Sequence, residues 1–197
     1  VNDANRMAIG WAQDYLSAGR LDATRLMLDW VKPKQLPPAL LLQWAQLNAQ
    51  LLLADQKPDE ALALLDRADI QAATNQVSDA EAAAVSLLRA DALPLQGELL
   101  ASLIQRVNAD QKLPIEKSGY NHQMLWMQLM LMPANQLEQA RNQQKESLHG
   151  GWLELASLYR DPLTDIDTQI KTFDQWQAQW PNHPAAENLL GMVQALR

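Results

Sequence analysis

The chain has 197 residues, enough to bury a core as one large domain or two small ones. A net charge of −7 leaves no basic stripe to neutralise phosphate, which argues against a nucleic-acid binder. The absence of cysteine excludes disulfide scaffolds, thiolate metal sites and Cys nucleophiles. Ala, Leu and Gln dominate, Gly is scarce at seven, and the ten Pro sit between apolar runs, a composition for helix rather than strand. No apolar run approaches the roughly 18 residues of a membrane span. Val1 opens without a signal-like segment, so any targeting segment is expected upstream.

In chain order, Ala4 to Leu16 reads as a helix with Met7, Ala8, Ile9, Trp11 and Tyr15 inward, closed at Ala18-Gly19. Leu21 to Val31 returns, with Leu21, Leu28 and Trp30 among its apolar positions, and Pro33 stops it. Pro37-Pro38 starts a strongly apolar helix to Ala54, expected to be central and touched on two sides. Asp55-Gln56-Lys57 turns the chain, and Pro58-Asp59-Glu60 starts a fourth helix to Ala68, with acids near the positive dipole end.

These four helices form two helix-turn-helix units. Asp22-Ala23 and Leu26-Met27 align with Glu60-Ala61 and Leu64-Leu65 at an offset of 38 residues, near the period of about 34 of tetratricopeptide repeats. Ala49, Leu52, Ala61, Leu65 and Ala68 have that repeat's spacing. The first unit is expected to depart from it, with bulky Trp11 at a small position.

Asp69 to Val77 reads as a polar connector. Ser78-Asp79-Ala80-Glu81 is a capping box opening a helix to about Ala92. Pro94 opens another through Val107. Asn108 to Ser118, with Pro114, is the expected hinge loop between two subdomains, 1–108 and 119–197. Gly119 to Met132 is apolar nearly all round and should be deeply buried, with a polar helix from Pro133 to Glu146 covering it. A helix from Gly150 follows, then Ile166 to Trp180 with a stripe of Ile166, Ile170, Phe173, Trp176 and Trp180. The last runs from Pro184, with Ala186, Leu189, Leu190, Val193 and Leu196 inward. The expected architecture is all-α: a curved, elongated, tetratricopeptide-like stack of about eleven helices in antiparallel pairs.

Candidates for chemistry are few. His122, His149 and His183 have no metal-ligand spacing, and His183 is expected to cap the last helix or lie on the surface. Glu154, Asp161, Asp165 and Asp167 read as a solvated face and first-turn acids, not as a glycosidase pair. The Met-rich helix and Trp176 with Trp180 read as core before peptide groove or sugar platform. No phosphate loop or nucleophile motif is present. No catalytic, cofactor-binding or metal-binding residue is assigned, and the residues alone point to a non-enzymatic binding or spacing module.

Gly151-Trp152-Leu153-Glu154-Leu155, Trp176-Gln177 and Trp180-Pro181-Asn182-His183-Pro184-Ala185 resemble the end of the N-terminal domain of the LpoA family. These are outer-membrane lipoproteins of gammaproteobacteria that activate a bifunctional peptidoglycan synthase, penicillin-binding protein 1A. The signature residues are Gly151, Trp152, Leu155, Trp176, Trp180, Pro181, His183 and Pro184, with Trp180 standing where the family is expected to have Tyr. The resemblance implies a lipid anchor upstream, a larger C-terminal domain downstream that makes the main synthase contact, and a monomeric arm at the periplasmic face of the outer membrane. It implies no cofactor and no catalytic residue. The competing readings are a peptide- or glycan-binding helical module of the cell envelope, with peptidoglycan as the partner, and a lytic enzyme, which lacks its paired carboxylates.

Overall fold

The structure is a computed structural model that describes residues 2–145, 147–160 and 165–186. Among these residues there are eleven α-helices and no strand. The chain divides into two compact units, residues 1–114 and 115–197.

The first unit begins with α1 (Asn2–Ser17), α2 (Leu21–Asp29), α3 (Pro38–Ala54) and α4 (Pro58–Leu65). On α1 the buried face is Asn5, Ala8, Ile9 and Ala12. Met7 and Trp11 were expected inward, but both are exposed, Trp11 at 54%, and Trp30, just past the end of α2, is 75% exposed. The stripe is set one residue further on because the small side chains let α2 and α3 come close. The central role of α3 is observed directly. Its Leu40, Leu47 and Leu51 join Ala8, Ile9, Ala12 and Leu28 in one core, while its Leu41, Leu42, Ala45 and Ala49 join Ala61, Leu65 and Ile70 in another.

Two expectations fail just beyond. Residues 69–77 are not all connector, since α5 (Ala68–Thr74) forms there and buries Ile70 and Ala73 against α3. Ala68 opens that helix and is exposed. Then comes α6 (Asp79–Ala92), opened by the expected capping box: the Glu81 N–H donates to Ser78 Oγ while Glu81 Oε2 accepts from the Ser78 N–H at 3.0 Å. Pro94 does not open the following α-helix. It lies in a 3₁₀ turn (Leu93–Gln96), and α7 (Leu99–Asp110) starts only after Gly97.

Three hairpins in this unit turn on one residue in the left-handed region: Gly19 (φ 71°), Gln56 (φ 59°) and Gly97 (φ 82°). At each, the next N–H donates to the carbonyl five residues back, Arg20 to Tyr15 at 2.8 Å, Lys57 to Leu52 at 2.8 Å and Glu98 to Leu93 at 3.0 Å. This is the bonding that ends a helix through a left-handed residue. Seven residues before each turn residue stand Ala12, Ala49 and Ala90, and five after it Thr24, Ala61 and Ser102. All six are fully buried. The first two hairpins are therefore related by an offset of 37 residues, not 38, and Ala12 rather than Trp11 fills the small position. The first unit does not depart from the repeat. In the third hairpin Ser102 Oγ donates to Ala90 O at 2.6 Å, a contact possible only because both residues are small.

The second unit holds α8 (Ile115–Leu131), α9 (Ala134–Gln143), α10 (Leu148–Tyr159) and α11 (Ile166–Gln179). The loop expected over 108–118 is shorter, since α7 runs to Asp110 and α8 begins at Ile115. Nor is α8 buried all round. Asn121, Leu125, Leu129 and Met132 point inward, whereas Tyr120, Met127 and Leu131 are exposed. The central helix here is α10, which packs against α8, α9 and α11. The more polar α9 buries only Leu137 and Ala140. On α11 the stripe holds at Phe173 and Trp176, but Ile166 is exposed at the first turn. The helix expected from Pro184 is described only as far as Ala186, so its Leu189, Leu190, Val193 and Leu196 lie outside the described residues.

Candidate functional site

The residues singled out near the C-terminal end converge on one side chain, His183. It is not on the surface but 4% exposed. The rings of Trp152, Trp176 and Trp180 stand edge-on around it, with centroids 5.3, 5.1 and 5.8 Å away. Such tilted contacts bring ring edges onto π faces and add to simple burial. Trp152 also meets His122 at 5.4 Å.

Both imidazole nitrogens bond to backbone. The Ala185 N–H donates to Nδ1 at 3.2 Å, so Nδ1 accepts and Nε2 carries the proton, which it donates to Leu148 O at 2.9 Å. The first bond caps the start of the terminal helix, as expected; the second ties that corner to the first turn of α10.

Helix α10 is shaped to receive the ring. Ser147 caps it, its Oγ accepting from the Gly150 N–H at 3.3 Å. A Cβ at Gly151 would lie 2.6 Å from His183 Cδ2 and Nε2, and one at Gly150 only 2.0 Å from Gln144 O. Glycine in a helix interior costs stability, and here close approach requires it twice. From α11, Trp176 Nε1–H donates to Gly151 O at 3.0 Å and Trp180 Nε1–H to Glu154 Oε2 at 3.2 Å.

Of the expected signature residues, Gly151, Trp152, Trp176, Trp180 and His183 touch one another, and Leu155 is buried on the same helix. Pro181 is exposed in the turn, and Pro184 is half-buried at the helix start. The acids do not form a constellation. Glu154 serves Trp180, and Asp165 caps α11 by accepting from the Thr168 N–H at 2.9 Å. The Thr168 hydroxyl bonded to Asp165, followed by that N–H, holds its carboxyl below the usual carboxylate range. Asp167 is exposed in the first turn, and Asp161 lies outside the described residues. No group of three or more His, Asp or Glu that could hold a metal ion occurs among the described residues. The corner is thus a structural clasp joining α10, α11 and the terminal helix. The sequence marked His183 as a signature residue and a helix cap but not as the buried centre; the signal for that was the Gly150-Gly151 pair inside a helix, where no turn calls for glycine.

Paired antiparallel helices with small residues at fixed distances from a left-handed turn define the class, an all-helical tetratricopeptide-like repeat domain. The family model for LppC putative lipoproteins matches residues 2–197, and the chain belongs to that family. It is 27% identical over 159 residues, 80% of its length, to the penicillin-binding protein activator LpoA of Edwardsiella ictaluri. It is 29% identical over 111 residues, 56% of its length, to that of Photobacterium profundum. It spans only 22% and 18% of those two proteins. The fold is also that of the solved LpoA N-terminal domain from Haemophilus influenzae, with a TM-score of 0.81 at 18% identity over 100% of this chain and 89% of that one.

Proposed function

We propose that this chain is the N-terminal helical arm of an envelope lipoprotein that activates a penicillin-binding protein in peptidoglycan synthesis, and that the synthase is penicillin-binding protein 1A. The observation that carries the reading is the match to a lipoprotein family along residues 2–197, with curated relatives named as penicillin-binding protein activators. The arm acts without catalysis. It sits at the periplasmic face of the outer membrane, held there by an upstream lipid anchor, and is monomeric. A downstream domain makes the main synthase contact.

Packed helix pairs suit such a role, because each pair is braced by its neighbours and spans distance without the entropy of a flexible linker. An acidic chain is also poorly attracted to anionic phospholipid. Calorimetric titration of this chain into the periplasmic region of the synthase, beside the full-length activator, tests the reading. Activation that survives deletion of the arm, in an assay where the two membranes are held at their natural spacing, would overturn it.

A further inference from the structure

Arginines in the first unit are mostly answered by aspartates. Arg25 pairs with Asp22 and Asp55, Arg67 with Asp69, Arg89 with Asp66, and the buried Arg106 with Asp91. Two in the second unit differ. Arg141 on α9 donates from Nη1 to Ser157 Oγ at 2.8 Å. Arg160, just after α10, donates from Nη1 to the carbonyls of Leu129 and Met132 at 2.9 and 2.6 Å. Neither has a carboxylate within ion-pair distance among the described residues. Both guanidinium groups are held in place by neutral oxygens and keep further N–H donors to offer.

They line the same hollow of about 280 Å³, together with Ser157 and Leu137. Glu138 also lines it, yet forms no ion pair with Arg141 three residues on. A second hollow of about 340 Å³ shares Arg141 and Ser157 and continues over Leu158 and Phe173. Arg141 has a local duty as a cation in the last turn of α9, and Arg160 caps α8. Those duties leave the remaining donors available to an anion, and planar guanidinium forks suit a carboxylate. The adjacent carboxylate selects further. A ligand with a second negative charge is repelled by Glu138, whereas one with an N–H beside its carboxylate is matched. A peptide C terminus has that pattern, and the second hollow, where Leu158 and Phe173 sit among Thr168, Gln169 and Thr172, accepts a small neighbouring side chain.

We propose that the cleft formed by α9, α10 and α11 binds the free C-terminal carboxylate of a peptide. This goes beyond the arm reading and does not depend on it. The test is ¹⁵N NMR titration of the chain with tri-alanine and with tri-alanine amide. The expected result is amide shifts confined to α9, α10 and α11, with the amidated peptide binding at least about tenfold more weakly, as loss of a charge-assisted bond implies. Arg141→Ala, at an exposed position, should keep the far-UV circular dichroism and lose binding to a similar degree; Arg25→Ala should change nothing. Equal binding of acid and amide, shifts outside these helices, or no shifts at millimolar tri-alanine would each overturn the proposal. Synthase titration is read separately, so either inference can fail alone.

Discussion

Gly151→Ala and Gly10→Ala place the same methyl group in helix interiors with opposite expected signs. At Gly151 the new Cβ would lie 2.6 Å from His183 Cδ2 and Nε2 and 3.3 Å from Trp180 Cδ2. Comfortable carbon contact starts near 3.5 Å, so the imidazole must retreat by about 0.9 Å. It is held by bonds to Leu148 O and the Ala185 N–H and enclosed by three indoles. Overpacking of this kind costs about 1–3 kcal/mol. Weakening the Nε2 bond adds about 0.5–1.5 kcal/mol. Replacing glycine in a helix returns about 0.5–1 kcal/mol. The net is a loss of roughly 0.5–4 kcal/mol. At Gly10, on the exposed side of α1, nothing lies within 4 Å of the new Cβ. Only the propensity gain remains, a stabilisation of about 0.5–1 kcal/mol. Guanidinium denaturation followed by far-UV circular dichroism and tryptophan emission measures both. A Gly151→Ala protein that unfolds at the wild-type midpoint would refute the account of the clasp.

Three further outcomes follow from the same structure. His183→Ala should destabilise by roughly 2–4 kcal/mol in thermal melts, since it empties a ring-sized space and strands two backbone groups. Ser78→Ala should cost about 0.5–2 kcal/mol by breaking the capping box of α6, with Ser78→Asp restoring most of it in the same melts. Acid should weaken the fold through carboxyls held below their ordinary values of 4.5 and 3.8: Glu81 by the Ser78 hydroxyl, Asp165 by that of Thr168 and Asp69 by Arg67. Because the folded values are depressed, their contribution is whole above the ordinary carboxylate range and fades as pH falls through the lowered values. The part of the stability these three carboxyls supply should therefore be constant down to about pH 5 and fall below it, so that the drop in melting temperature below pH 5 is shallower in Glu81→Gln.

Local chemistry was the legible part of the fold. Gly19, the Ser78–Glu81 box and the Pro58 start act within one turn of chain, so their meaning survives without tertiary context. Register was less legible. On α1 the large Met7 and Trp11 dominate any hydropathy reading, yet packing against α2 and α3 selects Ala8 and Ala12, because closeness of backbones decides which face is buried. The same bias shifted the repeat by one residue, since the alignment followed charged and leucine positions rather than the left-handed turns. On α8, Met127 and Leu131 are as apolar as their buried neighbours, and nothing local marks them as solvent-facing. α5 was hidden by its polar residues, although Ile70 and Ala73, three apart, fit one buried face. His183 and the Arg141–Arg160 cleft depend on segments far apart in sequence, so periodicity could not bring them together.

The recurring triplets of the first unit bear on how far such a domain can drift. Each hairpin specifies a left-handed residue and two small ones at set distances, and Gln56 shows that even the turn need not be glycine. Most other positions need only stay helical and suitably apolar or polar. So few fixed letters per forty or so residues leave a wide space of acceptable sequences. That gives a physical reason why a protein with 18% identity keeps this backbone at a TM-score of 0.81.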